Sequence, residues 1–325
     1  MALTKVAGGL IESGAALANI GAGGLTPYYL SSTAQYTGFK NRIINGAMMI
    51  SQRGTTFSTT GYTLDRWNLT QATSPTVTQS TDAPAGFKNS ISVSGGNYLF
   101  MCQRIEANNV TDLSGQTVTV SFWAKQTSGT LSPFVAALDY ATATDNFTST
   151  TNISTPNVGT LTSSWTYYTI TYPNLPAGVL NGLQLRFYIA NGGTTTYMVT
   201  GVQLEVGSTA TSFDVRDYGR ELILCQRYYE KSCEYSVVPG ATAAGFLYDT
   251  PGIYGRNFAP FSVTKRTAPT GVVYSGLNGA AGNINVGGSN YAVTVGTWST
   301  GINWAATTNV PAQFVTGYWT ASAEL

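Results

Sequence analysis

Alternation of apolar and polar residues recurs along this chain, and it limits the possible folds more than any other feature. In Thr117-Val118-Thr119-Val120-Ser121-Phe122-Trp123, the residues Val118, Val120 and Phe122 share one face and Trp123 falls on the other. Tyr168, Ile170 and Tyr172 alternate with Thr169 and Thr171, and Leu183, Leu185 and Phe187 alternate with Gln184, Arg186 and Tyr188. Val202, Leu204 and Val206 alternate in the same way with Gln203 and Glu205. A period of two belongs to a strand with one buried and one wet face. Turn residues interrupt the pattern at short intervals, as at Ala190-Asn191-Gly192-Gly193. Many short strands with turns between them predict a β-sandwich or jelly roll over residues 41–213.

The rest of the chain divides by charge. Charged residues make up 10% of the 325, against about 25% in an average globular protein. Nine of the 31 charges lie between Asp214 and Glu234. That segment predicts a short helical joint over 214–234, with Leu222, Cys225, Gln226 and Tyr229 on one side and Arg220 and Glu221 facing elsewhere. Residues 235–325 then hold only five charges, Asp249, Arg256, Lys265, Arg266 and Glu324, together with 13 aromatics. Pro251-Gly252, Asn278-Gly279 and Gly287-Gly288 mark turns there, so a smaller C-terminal β domain is expected. Residues 1–40 are small and Gly-rich, and carry too few large aliphatics for a core. They read either as a flexible tail or as an extended N-terminal anchor that orders on a partner or on copies of itself. The fold class is therefore all-β: a jelly roll, a short helix and a smaller β domain.

Composition also removes whole classes of function. The chain has no histidine, which excludes Ser–His and Cys–His nucleophile pairs and nearly every catalytic zinc arrangement. Net charge is +1, and only Lys265 and Arg266 are adjacent bases, so nucleic acid is not an expected partner. No apolar run reaches the roughly 18 residues of a membrane-spanning helix, so membrane insertion is not expected. Cys102, Cys225 and Cys233 are read as free buried thiols. A helix across the last two would hold them about 12 Å apart, beyond disulfide reach.

Several motifs, taken in order, resemble tailed-phage fibre proteins. They are Lys40-Asn41-Arg42-Ile43-Ile44-Asn45-Gly46 through Ser51-Gln52-Arg53-Gly54, Thr63-Leu64-Asp65-Arg66-Trp67, and Leu113-Ser114-Gly115-Gln116-Thr117 with Ser121-Phe122-Trp123-Ala124-Lys125. The block from Gly201 to Tyr229 completes the set. The opening Met1-Ala2-Leu3-Thr4-Lys5-Val6 and the closing Ala321-Ser322-Ala323-Glu324-Leu325 are similar to the ends of such chains. The resemblance covers roughly residues 38–233. It implies a virion location, a jelly roll like those of carbohydrate-binding modules, a homotrimer, and host-surface recognition by distal domains. It does not imply catalysis, and it leaves residues 235–325 unmatched.

Candidate chemistry follows from residue type. Tyr248, Tyr254, Trp298, Trp304, Tyr318 and Trp319 lie in a region almost free of charge. Aromatic-rich, charge-poor surfaces suit glycan stacking or protein interfaces, so these six are the expected ligand-binding residues; at least half of the C-terminal aromatics are expected instead in core or trimer contacts. Asp65-Arg66-Trp67 reads more readily as an ion pair over a core Trp than as a sugar site. Asp82, Glu106 and Glu205 form no dense acidic loop of the kind calcium requires, so no metal or cofactor is expected. Asp139 and Asp145, and separately Asp214, Asp217 and Glu221, are the available carboxylate groupings for glycoside hydrolysis. The last three lie among Arg216, Arg220 and Arg227, which reads as salt bridging.

The expected function is a non-enzymatic phage tail fibre that adheres to a host surface glycan or protein. It would attach to a tail or capsid protein through residues 1–40, be made in the host cytoplasm, and use residues 235–325 as its tip. The alternatives are a purely structural capsid or collar decoration protein and a glycan-degrading tail enzyme.

Overall fold

The computed structural model describes residues 40–129, 133–189, 194–241, 246–248, 257–308 and 314–325. The attachment role expected of residues 1–40 lies outside the described residues, Lys40 excepted. Eleven strands form the first sheet: β1 Thr56–Phe57, β2 Gly61–Tyr62, β3 Asn68–Ser80, β4 Ser90–Ile105, β5 Val118–Gly129, β6 Pro133–Ala143, β7 Asn146–Ser154, β8 Asn157–Thr160, β9 Thr166–Tyr172, β10 Leu183–Ile189 and β11 Thr195–Val206. The helix α1 spans Tyr218–Gln226. Eight strands form the second sheet: β12 Tyr229–Lys231, β13 Phe246–Tyr248, β14 Asn257–Pro260, β15 Thr270–Ser275, β16 Asn283–Val286, β17 Ser289–Trp298, β18 Gly301–Ala306 and β19 Val315–Ser322.

The first sheet runs β7-β6-β10-β4-β11-β5-β9, all antiparallel, and it curls into a sandwich through β4. The Met101–Ile105 half of β4 pairs with β10, whereas its Ile91–Gly95 half pairs with β11. Between the halves, Gly95, Asn97 and Leu99 have positive φ, which bends the strand from one layer into the other. The inner faces of both layers close on one core that includes Phe122, Phe134, Phe187 and Tyr197. The residues expected to face inward by alternation, Val118, Val120, Phe122, Leu183, Leu185 and Leu204, are all in it. Among the described residues the architecture is thus all-β, with a jelly-roll sandwich, one short α-helix and a smaller β part.

The helix is shorter than the 214–234 segment expected from charge. Asp217 caps its N-terminus by accepting the Arg220 N–H at 2.9 Å. It stops at Gln226 because Tyr229–Lys231 pair with β19 instead. Glu221 does not face outward: it is buried, accepts the Asn45 N–H and lies 3.4 Å from Arg216.

Residues 41–325 form one compact unit. Buried polar groups join its two sheets. Arg66 lies 3.5 Å over the Tyr228 ring and pairs with Glu324, while Arg53 lies 3.6 Å over Tyr229 and 3.1 Å from Glu324. Glu106 accepts from Arg227 at 2.9 and 3.1 Å and from Tyr228 Oη at 3.0 Å. Asp65, Arg66 and Trp67 are all buried in or beside this junction, which gives the motif a structural role. Cys102, Cys225 and Cys233 are free and buried.

Candidate functional site

The aromatics of the second sheet divide sharply. Trp304 and Trp319 belong to its hydrophobic core, and Tyr318 is buried and stacked on Tyr274 at 5.0 Å. These three therefore leave the set of ligand-binding candidates, because none has a ring face open to a ligand. Ile302, Trp304 and Ala306 alternate inward along β18, and β19 is covered on both sides, which buries Tyr318 and Trp319 in succession. Trp298 is 52% exposed at the end of β17. Tyr248 lies in β13 with its backbone opposite Val315, and Tyr254 falls outside the described residues.

The side chains that converge as a site lie on the first sheet, on the outer face of the layer β7-β6-β10-β4. Register puts Gln184 opposite both Asp139 and Arg104, and Arg186 opposite both Ala137 and Cys102. These residues all point away from the core, since Leu183, Leu185 and Phe187 point into it. Asp139 is 1% exposed and fully engaged. Its Oδ1 accepts from Asn152 Nδ2 at 2.8 Å and from Arg186 Nη2 at 3.2 Å, and its Oδ2 accepts from Gln184 Nε2 at 3.2 Å. Arg186 Nε lies 3.2 Å from the same Oδ2. Gln184 Oε1 in turn accepts from Arg104 Nε at 3.1 Å. The result is a polar ladder across four strands in which each group orients the next.

Aromatic rings continue the ladder at one end. The Arg186 guanidinium sits 4.9 Å from the Phe100 ring centroid and 5.4 Å from that of Tyr188. Phe100 and Tyr188 meet edge to face at 4.8 Å, and Tyr98 stacks on Phe100 at 5.4 Å with 38% of its surface exposed. At the other end Arg104 lines a groove of about 330 Å³ with Phe147, Asp145, Arg266, Glu324 and Leu325. Arg104 also donates to the Leu325 main-chain oxygen, as does Tyr62 Oη at 2.6 Å. The face thus offers ring surface, the exposed Asn152 amide and partly buried guanidinium groups in one row. That combination suits a ligand with apolar ring faces and many hydroxyls.

The carboxylates considered for hydrolysis are all held. Asp139 is enclosed as described, and Asp145 accepts the Ala107 N–H at 2.7 Å and lies 3.5 Å from Arg266. Asp217 caps the helix, and Asp214 and Glu221 flank Arg216. Of the carboxylates weighed for calcium, Glu106 binds Arg227 and Tyr228, and Glu205 binds Gln203 and Thr211. Asp82 binds Lys125 and Trp165. Among the described residues no group of three or more His, Cys, Asp or Glu is placed to hold a metal ion.

No family model matches the chain, and no curated protein matches it. Among solved structures it is similar to the enzymatically active domain of tailspike protein 4 of bacteriophage CBA120, at 17% identity and a TM-score of 0.37. The match covers 56% of this chain but spans only 22% of that one. It is also similar to the CBM22-1 xylan-binding domain of Paenibacillus barcinonensis Xyn10C, at 14% identity and a TM-score of 0.33, covering 49% and 96% of the two chains. The C-terminal family 22 carbohydrate binding module of Clostridium thermocellum Xyn10B gives 17% identity and a TM-score of 0.35, covering 50% and 99%. What the face described above can bind follows from its own side chains.

Proposed function

We propose that this chain is a glycan-binding attachment protein of a phage virion, a tail fibre that holds its ligand without transforming it. The observation that carries the reading is the row of Tyr98, Phe100, Tyr188 and Arg186, with the Arg186 guanidinium oriented from behind by the buried Asp139, itself held by Gln184. Rings stack on the apolar faces of sugars, and oriented amide and guanidinium groups bond to their hydroxyls. The non-catalytic part is supported by the carboxylates on and beside the row, each of which is already tied up by arginine or amide partners. A homotrimer would raise a modest affinity per site through avidity.

A glycan microarray probed with wild type, Arg186→Ala and Tyr188→Ala tests this. Wild type should bind a subset of glycans, and each variant should lose at least about tenfold in affinity, equivalent to about 1.4 kcal/mol. Unchanged binding by two variants that remain folded by circular dichroism would remove the row from the mechanism. Shortening of a bound polysaccharide on incubation would replace the adhesin with an enzyme.

A further inference from the structure

The opposite layer of the sandwich, β4-β11-β5-β9, has its own outer face, and most of it is covered. The segment 207–216 lies over one part: Thr119 donates to the Gly207 carbonyl, and Gln203 accepts the Asp214 N–H. The segment 82–89 lies over another: Thr200 donates to the Asn89 carbonyl, and Lys125 Nζ reaches Asp82 at 2.5 Å. The two coverings meet where Phe213 packs edge to face on Phe87 at 5.1 Å. Beyond that wall a patch stays open.

The floor of the patch is Trp123 and Tyr167, directly opposite each other in register, with ring centroids 5.4 Å apart. Tyr167 is 42% exposed. Gly201 brings the wall against this floor. It has φ +62° at a register shift in β11, and a Cβ there would stand 2.6 Å from the Phe87 ring and 3.1 Å from that of Trp123. On the far side Trp165 donates its indole N–H to Asp82 Oδ1 at 2.9 Å, and Lys125 Nζ lies 5.1 Å from the Trp165 ring. Asp82 is thereby fixed by two donors while 51% of its side chain stays exposed, leaving acceptor capacity facing solvent. Thr169, on the same face of β9 as Tyr167, is exposed.

We propose that this patch is a second, separate binding site for a short uncharged oligosaccharide, with Trp123 and Tyr167 as the stacking floor and Asp82 as the hydroxyl acceptor. Charge favours an uncharged ligand, because Lys125 neutralises Asp82, and Lys88, the other charged residue of segment 82–89, is exposed beside Phe87 but makes none of the contacts described above. Composition argues against a second copy of the chain as occupant. Protein interface cores are depleted in Ser and Asp, whereas this patch centres on an exposed aspartate among hydroxyls. Two sites on opposite faces of one sandwich would let a single protomer hold two segments of a surface polysaccharide.

The test is a microarray of neutral and of uronate- or sialate-bearing oligosaccharides, probed with the full chain and with Tyr167→Ala, Asp82→Asn and Arg186→Ala. Tyr167→Ala and Asp82→Asn change exposed groups, so both are expected to fold. Each should weaken a set of neutral glycans by about tenfold or more, and neither should weaken the glycans whose binding depends on Arg186. Neutral-glycan binding that is indifferent to both platform variants overturns the proposal, even if Arg186→Ala weakens binding elsewhere. So does a change of oligomeric mass in Tyr167→Ala by light scattering, which would assign the patch to a contact between copies.

Discussion

Asp82 shows how a single side chain can be both held and available. Hydrogen bonds from Lys125 and Trp165 keep its carboxyl below the usual carboxylate range. The folded value is lower than the unfolded one, so the contribution to stability is complete above the unfolded value. It is lost as pH falls through the folded value. The stability difference between wild type and Asp82→Asn should therefore be present at neutral pH and close in strong acid. Urea titrations at a series of pH values will show this, and a gap independent of pH would mean that the charge plays no part. High salt should narrow the gap as well, since the group is half exposed. At the same scale, the misplacement of Trp304, Tyr318 and Trp319 has a simple cause. Composition reports that a segment is aromatic, but only the pattern of its neighbours reports which way a ring points.

Elements explain what was legible. Strands announced themselves because their alternation is local: Trp123 falls outside the core by the same count that puts Phe122 within it. The polar ladder was not legible, because register across strands builds it. Arg186 meets Asp139 from 47 residues away, and Asn152 meets it from 13. A faint signal existed in Asp139 itself, an acid interrupting the apolar run from Phe134 to Ala141. The helix is shorter than the charged segment because charge density marks a polar stretch without marking where helix gives way to strand. Between β14 and β15, Lys265 pairs with Glu230 of β12, the two being 0% and 5% exposed, and burial, partly offset by the Glu230 contact, holds the lysine below its ordinary pKa. Lys265→Met alone leaves a buried carboxylate without its cation and should cost about 3–5 kcal/mol, whereas Lys265→Met with Glu230→Leu should cost far less. Thermal denaturation of both variants decides it; equal losses would show that the pair has no coupling.

At the scale of the whole molecule, the two β parts are joined more firmly than a change of composition near residue 214 suggests. Arg66, Arg53, Tyr62 and Arg104 of the first part all find partners in Tyr228, Tyr229, Glu324 or Leu325. A fragment of residues 41–213 would expose Ile44 and Ile50, which pack with Cys225 and Tyr228, and would strand the Arg66 guanidinium in an apolar setting. Such a fragment should lose the cooperative melting transition of the full chain. If it melts at the same temperature instead, the junction contributes nothing to the stability of the sandwich.

The buried thiols have a practical consequence. Burial pushes Cys102 up to about 11 and Cys225 and Cys233 above the ordinary thiol value, so little thiolate exists at neutral pH. Maleimides and mild oxidants should leave the native protein untouched. A single cysteine introduced at an exposed position such as Thr169 would then be the one reactive thiol among the described residues. A dye placed there, at the edge of the Trp123 and Tyr167 rings, would report occupancy of that patch in the intact protein without any change to the native cysteines.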